Sequence, residues 1–221
     1  MKIALLGAES TGKTQLAGAL AAHLRAQGRS VLVVDEVLRE WCVREGRTPR
    51  PEEQLPIAQE QERRVDAAAQ AAEVVIADTT AVMVAVYSAM LFADGSLLRF
   101  ALERQRGYDV TLVTGLDLAW VADGLQRDGP HVREPVDAQV RAALDLAGVG
   151  YRVVYGSGAE RLAHALRAID SIAPDVHSIS TEGSFGSKNT FWRWSCEKCG
   201  DAACEHRLFS ALGLGKASSG G

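Results

Sequence analysis

Five short runs of β-branched and apolar residues punctuate the chain: KIALL (2–6), VLVV (31–34), VVIA (74–77), VTLVT (110–114) and YRVVY (151–155). Each is continuous rather than alternating in polarity, the pattern of strands buried on both faces. Between them lie longer stretches rich in Ala, Leu, Arg and Glu with helical spacing, such as 15–27 and 51–72. This alternation predicts an α/β fold, a five-stranded parallel sheet with helices on both faces. The longest nearly uncharged apolar run, AVMVAVYSAMLFA from Ala81 to Ala93, has 13 residues, short of the roughly 20 that a bilayer crossing needs. It reads as a buried helix, and no membrane partner is expected.

After Ala168 the pattern stops. Residues 171–190, SIAPDVHSISTEGSFGSKNT, are rich in Ser, Gly and Thr and follow neither the helical nor the strand period, which marks a flexible linker. Residues 191–210 are a dense aromatic and Cys/His cluster, and residues 211–221 read as a disordered end.

The 221 residues are 47% apolar and 24% charged, with a net charge of −4 and a pI near 5.8. A chain of this length buries roughly two-thirds or more of its unfolded surface, so a self-sufficient core is expected. The acidic balance supplies no global positive field, and nucleic acid is not an expected partner. No basic-then-apolar leader is seen before the first strand, and three of four cysteines crowd into the tail, so a cytoplasmic, reducing location is expected.

The first strand runs directly into GAESTGKT, Gly7 to Thr14, which meets the pattern G-x-x-x-x-G-K-[ST] through Gly7, Gly12, Lys13 and Thr14. A strand delivers such a loop, its glycines let backbone N–H groups face the phosphates, and the next helix adds its positive N-terminal end. Gly7, Glu9, Ser10, Thr11, Gly12, Lys13, Thr14 and Gln15 are therefore the expected ATP contacts. Lys13 reaches the β- and γ-phosphates and the Thr14 hydroxyl ligates Mg²⁺. A second acidic residue is expected at the end of an adjacent strand, and Asp78 stands there. Asp78 reads either as that metal carboxylate or as the N-cap of a helix over 79–91. At the end of the second strand, Glu36 reads either as a carboxylate that accepts an acceptor hydroxyl's proton or as a solvated first-turn residue. The segment TGLDLAWVADGLQRDGPHVRE carries Arg127, His131 and Arg133 for charge neutralisation, with Trp120 as a stacking face and Asp123 as a hydroxyl acceptor; it reads as a lid or as a polar surface loop.

Taken in order, GAESTGKT, EVLRE, ADTTAVMVAVYS and WVADGLQRDG resemble the nicotinamide-riboside kinase domain of the NadR-type proteins, a P-loop kinase family close in architecture to nucleoside monophosphate kinases. The resemblance covers residues 1–170, the expected ATP-binding domain. It implies that Glu36, Arg39, Glu40, Gln61 and the stretch Trp120 to Gly124 line the nucleoside side. It also implies that the γ-phosphate of ATP passes to the 5′-hydroxyl of nicotinamide riboside to give the mononucleotide. The family commonly shows an acidic pair, D-T-D, where this chain has Asp78-Thr79-Thr80.

In the tail, Cys196, Cys199, Cys204 and His206 form C-x2-C-x4-C-x-H, a ligand set sufficient for a closed, structural Zn²⁺ site. Phe191, Trp192, Trp194 and Phe209 could pack around such a knuckle, which points to a protein partner or self-association. Its basic and acidic residues nearly balance, giving little attraction to phosphate backbones. The residues thus support a small-molecule kinase with ATP and Mg²⁺. The alternative is a nucleotide-dependent regulatory ATPase whose tail docks a partner.

Overall fold

The computed structural model describes residues 1–121 and 129–172. Its elements run β1 (Lys2–Leu6), α1 (Lys13–Ala26), β2 (Val31–Val34), α2 (Val37–Glu45), α3 (Pro51–Ala71), β3 (Val74–Asp78), α4 (Ala81–Phe92), α5 (Ser96–Gln105), β4 (Val110–Thr114), a 3₁₀ turn (Pro130–Val132), α6 (Arg133–Ala147), β5 (Arg152–Val154) and α7 (Gly158–Ile172). All five strands are parallel, in the order β2-β3-β1-β4-β5. The five expected strands are present, with β3 one residue longer than its apolar run and β5 trimmed at both ends.

Because successive strand side chains point to opposite faces, β1 serves two cores. Ile3 and Leu5 pack with Leu16, Leu20 and Leu24 of α1 and with Ala165 and Ile169 of α7. Ala4 faces Val65 of α3, together with Val34, Val75 and Ala77, and Leu6 joins the cluster of α2, α4 and α6 through Val37, Val82 and Val136. The inner strands β1, β3 and β4 are buried almost throughout, whereas the edge strands β2 and β5 each expose positions. Each fully buried Leu or Ile adds about 1.5–3 kcal/mol over an exposed one, so this two-sided core is what holds the strand ends in register.

Three boundaries differ from the sequence expectation. Helix α4 begins at Ala81 rather than at residue 79, because the Thr80 side chain accepts the Val82 N–H at 3.2 Å and takes the capping position. Helix α4 ends at Phe92 rather than at residue 91, and Ala93, whose backbone is left-handed (φ 53°), turns the chain into α5. Helix α7 continues to Ile172, so residues 171 and 172 belong to the core domain rather than to a linker. The rest of the expected linker and the tail lie outside the described residues. Among those residues, no helix is long and apolar enough to cross a membrane.

Candidate active site

Parallel strands deliver their carboxyl ends to one edge of the sheet, where α/β proteins place their ligands. The loop after β1 is shaped by two glycines and by the end of β4. Gly7 has φ 140°, and a Cβ built on it falls 2.2 Å from the Thr114 hydroxyl. That hydroxyl donates to Thr11 Oγ1 at 2.6 Å, and Thr11 in turn donates to the Ala8 carbonyl at 2.7 Å. Gly12, at φ 74°, opens α1. Ser10 also holds a left-handed backbone (φ 54°), and its Oγ accepts the Val121 N–H at 2.8 Å. The loop is thereby tied to the start of the expected lid.

The partly buried Lys13 donates to the Gly7 and Ala8 carbonyls at 2.9 and 2.8 Å, so its ammonium lies over the loop. Burial lowers its pKa, Glu36, Asp78 and Glu9 oppose that shift, and Arg39 adds to it. Asp78 ends β3 and Glu36 follows the end of the paired strand β2, at the same edge of the sheet from which the loop presents this lysine. Gln15 is exposed.

Asp78, at the end of β3, is 3% exposed. Its Oδ2 accepts from the Thr14 hydroxyl at 2.5 Å, while its buried Oδ1 makes no hydrogen bond among the described residues. A hydroxyl and a carboxylate with an unused oxygen, set where the loop enters α1, are the hard oxygen donors Mg²⁺ takes; these residues fit that ion. The N-cap reading of Asp78 does not hold, since Thr80 caps α4. Between them Thr79 has φ 77°, a left-handed conformation that costs a β-branched residue about 1–3 kcal/mol. Its N–H donates to the Leu5 carbonyl at 3.1 Å.

Glu36 precedes α2 and does not cap it with its side chain. Its side chain is 12% exposed and lies 3.2 Å from Arg39, so it is not the solvated first-turn carboxylate that sequence alone left open. The first amide of α2, Val37 N–H, instead donates to Gln61 Oε1 at 2.9 Å. Gln61 is 1% exposed, and its Nε2 makes no hydrogen bond among the described residues. Glu40 faces outward to Arg64 at 2.6 Å, in a surface array with Glu60 and Arg63.

Trp120 is half-buried, its Nε1 enclosed and without a hydrogen bond among the described residues. Arg133 is buried and donates to the Leu118 carbonyl at 2.8 Å, which anchors the segment leading to Val121, while His131 is exposed. Arg127, Asp123 and Gly124 lie outside the described residues, as do Cys196, Cys199, Cys204 and His206. Two residues the sequence reading missed shape the site. Thr114 looked like an ordinary strand residue. Glu62 sits with Ala58 and Val65 on the buried stripe of α3, so a charge at an apolar position was the available signal.

A family model described as AAA domain matches residues 2–161. No curated protein sequence matches the chain. Among solved structures, the fold is similar to that of NadR protein in complex with NR (TM-score 0.61, 17% identity, 81% of this chain and 54% of that one). It is also similar to NadR protein in complex with NAD and AMP-PNP (TM-score 0.58, 18% identity, 82% and 51%). A third likeness is to deoxyadenosine kinase from M. mycoides with bound dCTP (TM-score 0.53, 14% identity, 78% of this chain and 100% of that one). The chain spans about half the length of the NadR structures it matches. The phosphate loop, the parallel sheet and the family match agree: the chain belongs to the AAA domain family and has the fold of the NadR-type P-loop kinase domains.

Proposed function

We propose that this protein is an ATP-dependent nucleoside kinase that phosphorylates the 5′-hydroxyl of nicotinamide riboside to give nicotinamide mononucleotide. The observation that carries the reading is the Thr14 hydroxyl set against the Asp78 carboxylate at the end of β3, with Glu36 following the end of the paired strand β2. A hydrolase needs only to position water, whereas a kinase needs a pocket for a second substrate on the acceptor side of the γ-phosphate, where a carboxylate can take the hydroxyl proton. With Asp78 engaged by Thr14, Glu36 is the carboxylate left for the acceptor.

In this mechanism the backbone N–H groups of residues 7 to 14 and the N-terminus of α1 hold the triphosphate, and Lys13 moves from the loop carbonyls to the β- and γ-phosphate oxygens. Thr14 and Asp78 would hold Mg²⁺, which neutralises phosphate charge when bound. Glu36 accepts the proton of the 5′-hydroxyl as that oxygen bonds to the γ-phosphorus. The bond from phosphorus to the bridging oxygen breaks, and ADP leaves with that electron pair. Arg39, Trp120 and Asp123 serve the nucleoside, Gln61 has only its Nε2 left for it because its oxygen holds the head of α2, and Arg127 and Arg133 serve the transferring charge. The NR and AMP-PNP named with the NadR structures support the choice of acceptor and donor.

The test is ATP consumption by the purified protein with Mg²⁺, with and without nicotinamide riboside, with mononucleotide as the product followed. Ordinary nucleosides run alongside define the acceptor. Riboside-dependent formation of ADP and mononucleotide is the expected result. ATP binding with no acceptor-dependent loss would overturn the kinase reading.

A further inference from the structure

The adjacent side chains of Gln61 and Glu62 on α3 each take the first N–H of a helix that leaves the site. Gln61 accepts from Val37, directly after Glu36, and Glu62 Oε1 accepts from Ala81 at 2.9 Å, three residues after Asp78. Consecutive helical residues project about 100° apart, so one step along α3 spans the ends of the neighbouring strands β2 and β3. Helix N-termini carry amides with no partner of their own; here one rigid helix supplies partners to two of them.

The Glu62 carboxylate is itself held from several sides. It is 3% exposed, its Oε2 accepts from the Tyr108 hydroxyl at 3.1 Å, and Arg104 lies 3.5 Å away while also pairing with Asp66. The turn it supports is the one that contains Thr79 in its left-handed conformation. Such a conformation persists only where its surroundings over-determine it. The flanks do so: Thr79 N–H is held by Leu5, the Thr80 hydroxyl donates to Gln105 at 2.7 Å, and Ala81 N–H is held by Glu62.

We propose that Glu62 is a positioning residue, holding the turn Asp78-Thr79-Thr80 so that Asp78 stays aimed at Thr14 and at the metal of a bound nucleotide. Gln61 holds the start of α2 behind Glu36 in the same way. The proposal rests on the reading of Asp78 as the Mg²⁺ carboxylate.

The test measures the affinity of the full chain for Mn²⁺ in the presence of a non-hydrolysable ATP analogue, by electron paramagnetic resonance, with thermal melting as a check on folding. Glu62→Leu removes the acceptor and should weaken Mn²⁺ binding by about tenfold or more, the scale seen when support of a metal ligand is lost. Glu62→Gln keeps an acceptor for Ala81 N–H and should restore affinity to within about threefold, a rescue that a purely electrostatic role would not give. Thr79→Gly relaxes the turn, so Glu62→Leu should cost less in that background. If Glu62→Leu fails to fold, Tyr108→Phe, which removes one anchor of the carboxylate, should still weaken Mn²⁺ by about twofold or more. Unchanged Mn²⁺ affinity in a folded Glu62→Leu protein, or in Tyr108→Phe where that variant must serve, overturns the positioning role. Asp78→Asn separates the two ideas: if it also leaves Mn²⁺ binding unchanged, the metal reading of Asp78 fails and takes this proposal with it.

Discussion

The same substitution should act with opposite sign at two glycines eleven residues apart in sequence. At Gly7 an added methyl meets Thr114 Oγ1 at 2.2 Å and the Thr114 backbone at 3.1 and 3.2 Å, on a backbone at φ 140° that an L side chain rarely adopts. The backbone term costs about 1–3 kcal/mol, and overpacking a tight site costs about 1–3 kcal/mol more. Gly18, by contrast, lies inside α1 with nothing within 4 Å of an added Cβ. There alanine recovers about 0.5–1 kcal/mol of helix propensity. For a chain of this size each kcal/mol moves Tm by about 2–4 °C. Gly7→Ala should therefore melt at least about 4 °C lower, and Gly18→Ala about 1–4 °C higher. Scanning fluorimetry with and without ATP and Mg²⁺ reads both quantities. If the loop escapes the strain by moving off Thr114, the Tm loss shrinks but the rise in Tm on adding ATP should disappear with it. A Gly7→Ala protein with wild-type Tm and a wild-type ATP shift would refute the loop geometry.

Lys13→Ala should keep the fold and reduce ATP turnover by about a hundredfold or more, the scale of losing one charge-stabilising donor; turnover is the readout, and normal turnover sinks the phosphate-cradle role. The pH dependence of unfolding checks the burial of Lys13. Because its folded pKa lies below 10.5, the unfolded chain holds that proton to higher pH than the folded one. Wild-type stability should then rise relative to Lys13→Met as pH climbs from the folded pKa toward 10.5, in urea titrations of the two proteins. At the acid end, the bidentate pair with Arg47, aided by the Arg50 N–H, holds Glu53 at about 2, against an ordinary 4.5. The stability this adds is complete above 4.5 and is lost as pH falls toward 2, so acid titration of Arg47→Met should lose the Arg47 share of that component and keep the share from the Arg50 N–H. A chain ending at Ile172 should keep its fold by circular dichroism and its turnover, if the tail is accessory to catalysis.

Much of this protein was written in one dimension. Strands buried on both faces need continuous apolar runs, so KIALL, VVIA and VTLVT announce themselves without any partner in view. The phosphate loop is also legible, because its glycines and lysine act through backbone geometry within eight consecutive residues. Asp78 and Glu36 could be placed at strand ends, but their alternatives could not be decided there. A cap and a metal ligand call for the same residue type; Thr80 at the head of α4 removes the cap reading, and the Thr14 contact with Asp78 is what supports the proposed metal role. The carboxamide of Gln61 was expected on the nucleoside side, yet its oxygen is committed to the head of α2. Thr114 carried no signal and Glu62 only that of a charge at an apolar position, and neither partner was legible, because each acts on a segment remote in sequence, Gly7 in one case and Ala81 in the other. Local pattern specifies elements and the loops between them; which side chain satisfies which buried amide, and which backbone leaves no room for a methyl, is decided only when the sheet brings distant strand ends together.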